Sequence, residues 1–160
     1  RCRVRPLLDE KLFLIAPTSL PGVPSGDSVT LAELTLVPLV LPSDQHGLRS
    51  TINNAFSHSR CEPSVVMNVD GLALLMDTVK AGYAATIQPG AVAARSREQG
   101  LKVVQIADAH AGRRNLLVSL PDDELSPAAL AARVAILDTT RELVASARWP
   151  GAQLLDEHAI

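Results

Sequence analysis

Ser43, Asp44 and His46 lie almost side by side in the chain and supply the residue types of a nucleophile, acid and base relay. Neighbours in sequence rarely meet in the geometry such a relay demands, and no G-x-S-x-G elbow is present, so the cluster does not read as a hydrolase. His58 and Cys61 have the spacing of half a zinc site, yet no second pair follows, and a structural metal is not expected. No glycine-rich phosphate loop occurs. The sequence therefore assigns no catalytic residue, no metal and no cofactor. What remains is Ser43-Asp44-Gln45-His46-Gly47, a polar cluster that follows the apolar run Leu39-Val40-Leu41-Pro42 and is suited to holding a small molecule.

The elements around it must position it. Residues 12–16 form a short apolar run ended by Pro17, which predicts a strand. The loop of residues 17–30 holds three prolines and two glycines, which exclude regular structure. Thr30 caps the short helical turn "LAEL". A strand in "PLVLP", a helix from about His46 to Ser59 and a strand in "SVVMNV" follow. Asp70 is a natural N-cap, and Gly82 a natural C-cap, for the helix in "GLALLMDTVKAG". A strand in "YAATIQP", a helix ending at Gly100 and a strand in "LKVVQIAD" continue the alternation. That order predicts an α/β fold with a parallel sheet, helices on both faces and right-handed crossovers. The chain then runs through the strand "NLLVSLP" to its longest helix, opened by Ser126 and Pro127 and reaching about Arg148. Leu130, Val134, Leu137 and Val144 make its apolar stripe, with Arg133 and Arg141 away from it.

In open parallel sheets ligands gather beyond the carboxyl ends of the strands, where loops lead into helix N-termini. The first such end delivers Ser43, Gln45 and His46, the second Asn68 and Asp70, and the third Gln88 and then Gly90. Thr18 and Ser19, after the earliest strand, could join them. Unpaired N–H groups and a partial positive charge at helix starts favour a carboxylate or similar anion. Each residue also has a plainer role to set beside this one. Asp70 is accounted for by capping, as is Ser43 or Asp44 before the helix that follows, and His46 suits a cap or a solvated position. Asp77 and Lys80 make a surface pair on one helix, and Cys61 is an ordinary thiol.

Bulk properties narrow the class. A chain of 160 residues can bury the core of one domain, or of a split one, and its 47% apolar and 20% charged residues exclude a disordered chain. With net charge −2 and basic residues scattered apart from Arg1, Arg3 and Arg5, there is no footprint for a nucleic-acid backbone. Phe13, Phe56, Tyr83 and Trp149 are too few for a carbohydrate cleft or a single-strand platform, both of which depend on ring stacking. Two cysteines, Cys2 and Cys61, cannot build a disulfide framework, and neither a membrane span nor a signal segment is visible. A reducing, cytoplasmic setting is expected.

Taken in order, these features resemble the C-terminal, effector-binding region of LysR-type transcriptional regulators. The resemblance rests on "PLLDEKLFLIAP" with its proline-rich loop, on "VTLAELTLVPLVLPSDQHGLR", and above all on "VDGLALLMDTVKAGYAATIQP". "LKVVQIAD", "NLLVSLP" and the last helix complete it over residues 7–120. It implies a type II periplasmic-binding-protein-like fold of two α/β subdomains, linked by two crossover strands at residues 12–17 and 115–121, with the effector between them. Residues 17–110 would form the second subdomain, and residues 1–16 and 111–160 the C-terminal part of the first. The opening segment of the first subdomain and the DNA-binding domain would lie outside this chain.

By the same resemblance, effector contacts fall on the loop at residues 43–49, on Thr18 and Ser19, and near the strand end at residues 86–89. The candidate effector residues are thus Thr18, Ser19, Ser43, Gln45, His46, Thr86 and Gln88. The peroxide-sensing branch has a redox cysteine where this chain has Gly47, so thiol sensing is not expected, and Ala84 stands where most members have glycine. The implied partners are a small organic anion, a second copy in a homodimer or tetramer formed through the helix at residues 72–81, and promoter DNA bound only by the absent N-terminal domain, with no membrane. A solute-binding protein of a transport system is the alternative on the same fold. An enzyme would need a convergent acid, base or cofactor group that the sequence does not supply.

Overall fold

A computed structural model describes residues 2–155; Arg1 and residues 156–160 lie outside it. The chain opens with β1 (Arg3–Ala16), a strand of 14 residues, longer than the apolar run alone indicates. The proline-rich loop follows and contains one short paired stretch, β2 (Ser28–Val29), where no regular structure was expected. A single 3-10 turn (Leu31–Leu34) comes next, its start fixed by Glu33, whose carboxylate accepts from the Thr30 N–H at 2.8 Å and the Thr30 hydroxyl at 2.9 Å. Then come β3 (Leu39–Leu41), α1 (Gly47–His58), β4 (Val65–Asn68), α2 (Leu72–Lys80), β5 (Thr86–Pro89), α3 (Gly90–Glu98) and β6 (Lys102–Ile106). The last elements are β7 (Gly112–Ser119), α4 (Pro127–Ala145) and β8 (Ala152–Leu154).

Two sheets share β1. Its first part pairs antiparallel with β7 on one side and β8 on the other, while Leu12 to Ala16 pair antiparallel with β5 and β6. β2 lies parallel beside β6, and β3 pairs parallel with β4 and bridges to Ala85 ahead of β5. The expected parallel sheet is thus corrected in one respect: β2 to β6 run one way and β1 runs against them. The return crossing differs too. Residues 115–121 do not cross; β7 lies wholly beside Arg3 to Lys11, and residues 107–111 make the passage, tied by the Ala111 carbonyl to the Leu12 N–H at 3.0 Å.

Alternation along β1 sorts the core. Leu12 and Leu14 face α1 and the 3-10 turn in a cluster with Leu39, Leu41, Ile52, Phe56, Ile87 and Val104. Phe13 and Ile15 face the opposite side with Val40, Leu75, Met76, Val79 and Ala93, under α2 and α3. Each fully buried Leu, Ile or Phe contributes about 1.5–3 kcal/mol of transfer free energy, so both faces anchor the strand tips between them. On α2 the inward residues are Leu75, Met76 and Val79, whereas Leu72 and Leu74 are exposed, as are Val66 and Met67 of β4.

α4 begins as expected, with the Ser126 hydroxyl accepting from the Ala129 N–H at 3.2 Å. Leu130, Leu137 and Val144 of the expected stripe are half-buried, and one member departs from it. Val134 is exposed and Thr140 is buried, while Arg133 turns inward to meet Asp122 at 2.6 Å. A long aliphatic stem ending in a paired guanidinium substitutes for an apolar residue on that face.

Candidate functional site

Leu41 pairs with Asn68 in the parallel register of β3 and β4, so the residues two further on, Ser43 and Asp70, emerge side by side. The Ser43 N–H donates to Asp70 Oδ1 at 3.0 Å. This corrects the capping role given to Asp70: the N-cap of α2 is Gly71, at φ 98°, and no side chain caps that helix. The Ser43 backbone and hydroxyl hold the Asp70 carboxyl below the usual aspartate range, with His46 adding a smaller electrostatic pull. His46 caps α1 through its own ring, Nδ1 accepting from the Leu48 N–H at 3.2 Å, and its backbone N–H donates to the Ser43 carbonyl at 3.0 Å. Ser43, His46 and Asp70 therefore form one bonded group at the tips of β3 and β4, with Gln45 exposed on the same loop.

A buried arginine supports this loop. The Arg49 Nη1 donates to the Pro42 carbonyl at 2.8 Å and to Asn68 Oδ1 at 2.7 Å, its Nε donates to Asn53 at 3.0 Å, and Asp44 lies 3.5 Å away. One guanidinium thus joins the ends of β3 and β4 to the first turns of α1, a task suited to its planar, multiply donating head. Sequence reading included Arg49 only as the end of the loop at residues 43–49, although its spacing to Asn53 is that of facing residues on a helix.

The remaining candidates lie elsewhere. Thr86 and Gln88 are buried within β5, where Gln88 Nε2 donates to the Thr86 hydroxyl at 3.3 Å. They pair with Ile15 and Phe13, which puts their side chains on the α2 and α3 face of the sheet. Thr18 and Ser19 are exposed at the opposite end of the sheet from Ser43. β1 reaches them after pairing Ile15 with Thr86, at the start of β5, and the Ser19 hydroxyl lies 3.6 Å from where a Cβ on Gly82 would stand. The four strand residues after Ala85 separate the two ends by roughly 13 Å. The structure brings Ser43, Gln45 and His46 together, with Thr86 and Gln88 inside the supporting sheet and Thr18 and Ser19 apart.

Glu10, at the crossing between the sheets, escaped notice. Its side chain is fully buried and accepts from Arg113 Nε at 2.6 Å, Asn115 Nδ2 at 3.1 Å and Trp149 Nε1 at 2.9 Å. The signal was its position in the alternation: Leu8, Glu10, Leu12 and Leu14 are all buried and share one parity, so a carboxylate stands where an aliphatic residue is due. Among the described residues no group of three or more His, Cys, Asp or Glu side chains is arranged to hold a metal ion. No helix among them is long and apolar enough to cross a membrane.

Comparison with known proteins places this geometry. The model of the LysR substrate binding domain matches residues 1–141. Among curated proteins the chain is similar to the nitrogen assimilation regulatory protein nac of Klebsiella aerogenes, 30% identical over 89 residues, covering 56% of this chain and 28% of that protein. Among solved structures it is similar to the effector binding domain of QuiR in complex with shikimate, with TM-score 0.72 and 23% identity over 88% of this chain and 66% of that one. Full-length CbnR complexed with its target DNA matches with TM-score 0.66 and 20% identity, over 87% and 46% of the two chains. These likenesses establish the type II periplasmic-binding-protein-like fold. The chain spans under a third of the curated relative's length.

Proposed function

Because the chain belongs to the LysR substrate binding domain family, we propose that it senses a small organic anion at the tips of β3 and β4 and passes the result to promoter DNA through a DNA-binding domain carried by the full-length regulator. The observation that carries this reading is the grouping of Ser43, Gln45 and His46 at the start of α1, on the strand ends nearest the crossing between the two sheets. Residues 17–110 would act as the second subdomain, residues 1–16 and 111–160 as part of the first, and the effector would bias the angle between them. The relatives are transcriptional regulators, which favours this reading over a solute-binding protein of a transport system, and regulators of this family are not an enzyme class.

A thermal-shift screen of small carboxylates, including the shikimate bound by QuiR, tests the proposal. A true effector raises the melting temperature with concentration, and Ser43→Ala combined with Gln45→Ala removes that rise while leaving the ligand-free melting point within a few degrees. A rise that survives the double substitution would place the site elsewhere.

Self-association of the regulator is assigned to α2. Leu72 and Leu74 of α2 are exposed, as are Val66 and Met67 of β4, large apolar side chains that a second copy would cover. Leu74→Glu is expected to lower the mass measured by light scattering at a fixed concentration; an unchanged mass would move the interface to another face.

A further inference from the structure

Asp70 has two jobs available and the structure uses one of them. We propose that Asp70 is an internal stand-in for the effector's carboxylate: it occupies the Ser43 donors in the ligand-free state, and an entering carboxylate displaces it onto the first turn of α2. This rests on the effector-site reading above and adds the ligand class and the switch.

The groups involved are already in contact. The Ser43 N–H holds Asp70 Oδ1 at 3.0 Å, on the loop whose His46 ring caps α1. An organic carboxylate offers the same acceptor geometry as an aspartate side chain and competes for the same donor. α2, meanwhile, begins without a side-chain cap, its first backbone bond running from the Leu75 N–H to the Gly71 carbonyl at 3.1 Å. If Gly71 turned from φ 98° into the helix, Asp70 would become the N-cap and its carboxylate would accept from the second or third amide of the extended helix, that of Leu72 or Ala73. Only glycine adopts both conformations at little cost, and the space around a Cβ at Gly71 is open, so backbone conformation rather than packing decides between them.

The two arrangements differ in bonded partners as a two-state device requires. In one, Asp70 satisfies Ser43 and leaves the helix start bare; in the other, the ligand satisfies Ser43 and Asp70 satisfies the helix. The element that moves is the first turn of α2, which carries the exposed Leu72 and Leu74. Occupancy at the strand tips is thereby read on an outward apolar face.

Amide hydrogen exchange with Gly71→Ala tests the switch without any ligand. Alanine strains the φ 98° state, so the Leu72 and Ala73 amides are expected to exchange about tenfold more slowly than in the wild type and the Ser43 amide about tenfold faster. Asp70→Ala is the companion variant: Ser43 loses its protection and the start of α2 gains none. Unchanged protection at Ser43 in both variants overturns the latch. Exchange with shikimate present, in the wild-type protein, tests displacement: supporting data show Ser43 still protected while Leu72 and Ala73 become protected. Shikimate bound on the Ser43 loop without protection at α2 overturns displacement. Shikimate that leaves the loop unperturbed refutes the effector-site reading for this carboxylate, and the two ligand-free variants then judge the latch alone.

Discussion

Gly90→Ala is expected to cost about 3 kcal/mol of stability or more, read as a lower denaturant midpoint, together with a red shift in the emission of Trp149, the single tryptophan of the chain. A Cβ at position 90 would lie 1.8 Å from the Pro150 carbonyl oxygen and 2.9 Å from its carbon. Backbone atoms cannot rotate aside as a flexible side chain does, so either α3 or the segment at residues 149–151 must move. That segment is held from both sides: the Gly151 carbonyl accepts from the Lys11 N–H at 2.9 Å, and the Trp149 ring bonds Glu10. Relief of the clash therefore separates the start of α3 from the piece that packs the two sheets together. A variant as stable as the wild type, with unshifted fluorescence, would show that this contact is not what joins them.

Glu10→Ala should destabilise the protein by about 3–4 kcal/mol, because three donors lose one acceptor pair in a buried position. The Arg113 side chain is 35% exposed and recovers part of its hydration, which keeps the loss below the upper end for a fully buried pair. Glu10→Gln retains one acceptor oxygen and the side-chain volume, and is expected to lose roughly half as much. Equilibrium urea unfolding of the three proteins measures the series, and equal losses for Ala and Gln would mean that charge, not the bonds, is the contribution. Since Gly90 and Glu10 both act on the Trp149 segment, the double variant should lose less than the sum of the two.

Much of this architecture was legible because its causes are local. The turn after Thr30, the Ser126 cap with Pro127 after it, and the helix from about His46 to Ser59 all follow from neighbours within a few positions. Partners far along the chain were not legible. A strand's apolar pattern states which residues face inward but not which way its neighbours run, so β1 opposing the others could not be read from residues 12–16. The capping rule explained Asp70 completely within its own helix, and nothing nearby announced that the Ser43 N–H, 27 positions earlier, would win the same carboxylate. On α4 the inferred face held at Leu130, Leu137 and Val144 and failed at Val134, since the pattern counted only apolar residues and Arg133 takes that place on the face with its stem. At the candidate site the loop at residues 43–46 was readable from its polar run after an apolar strand, whereas the anchoring role of Arg49 depends on Pro42 and Asn68, which lie on two different strands' ends.

The bond between Glu10 and Trp149 spans 139 positions. As a ribosome releases the chain, this carboxylate emerges 139 positions ahead of its indole and waits for it. The second sheet has all its strands by then, so it can assemble early while the β1 segment that pairs with β8 stays hydrated and open to chaperones. Closure of the other sheet consequently follows assembly of the second during biosynthesis, and errors made near Trp149 will be felt at a strand synthesised long before it.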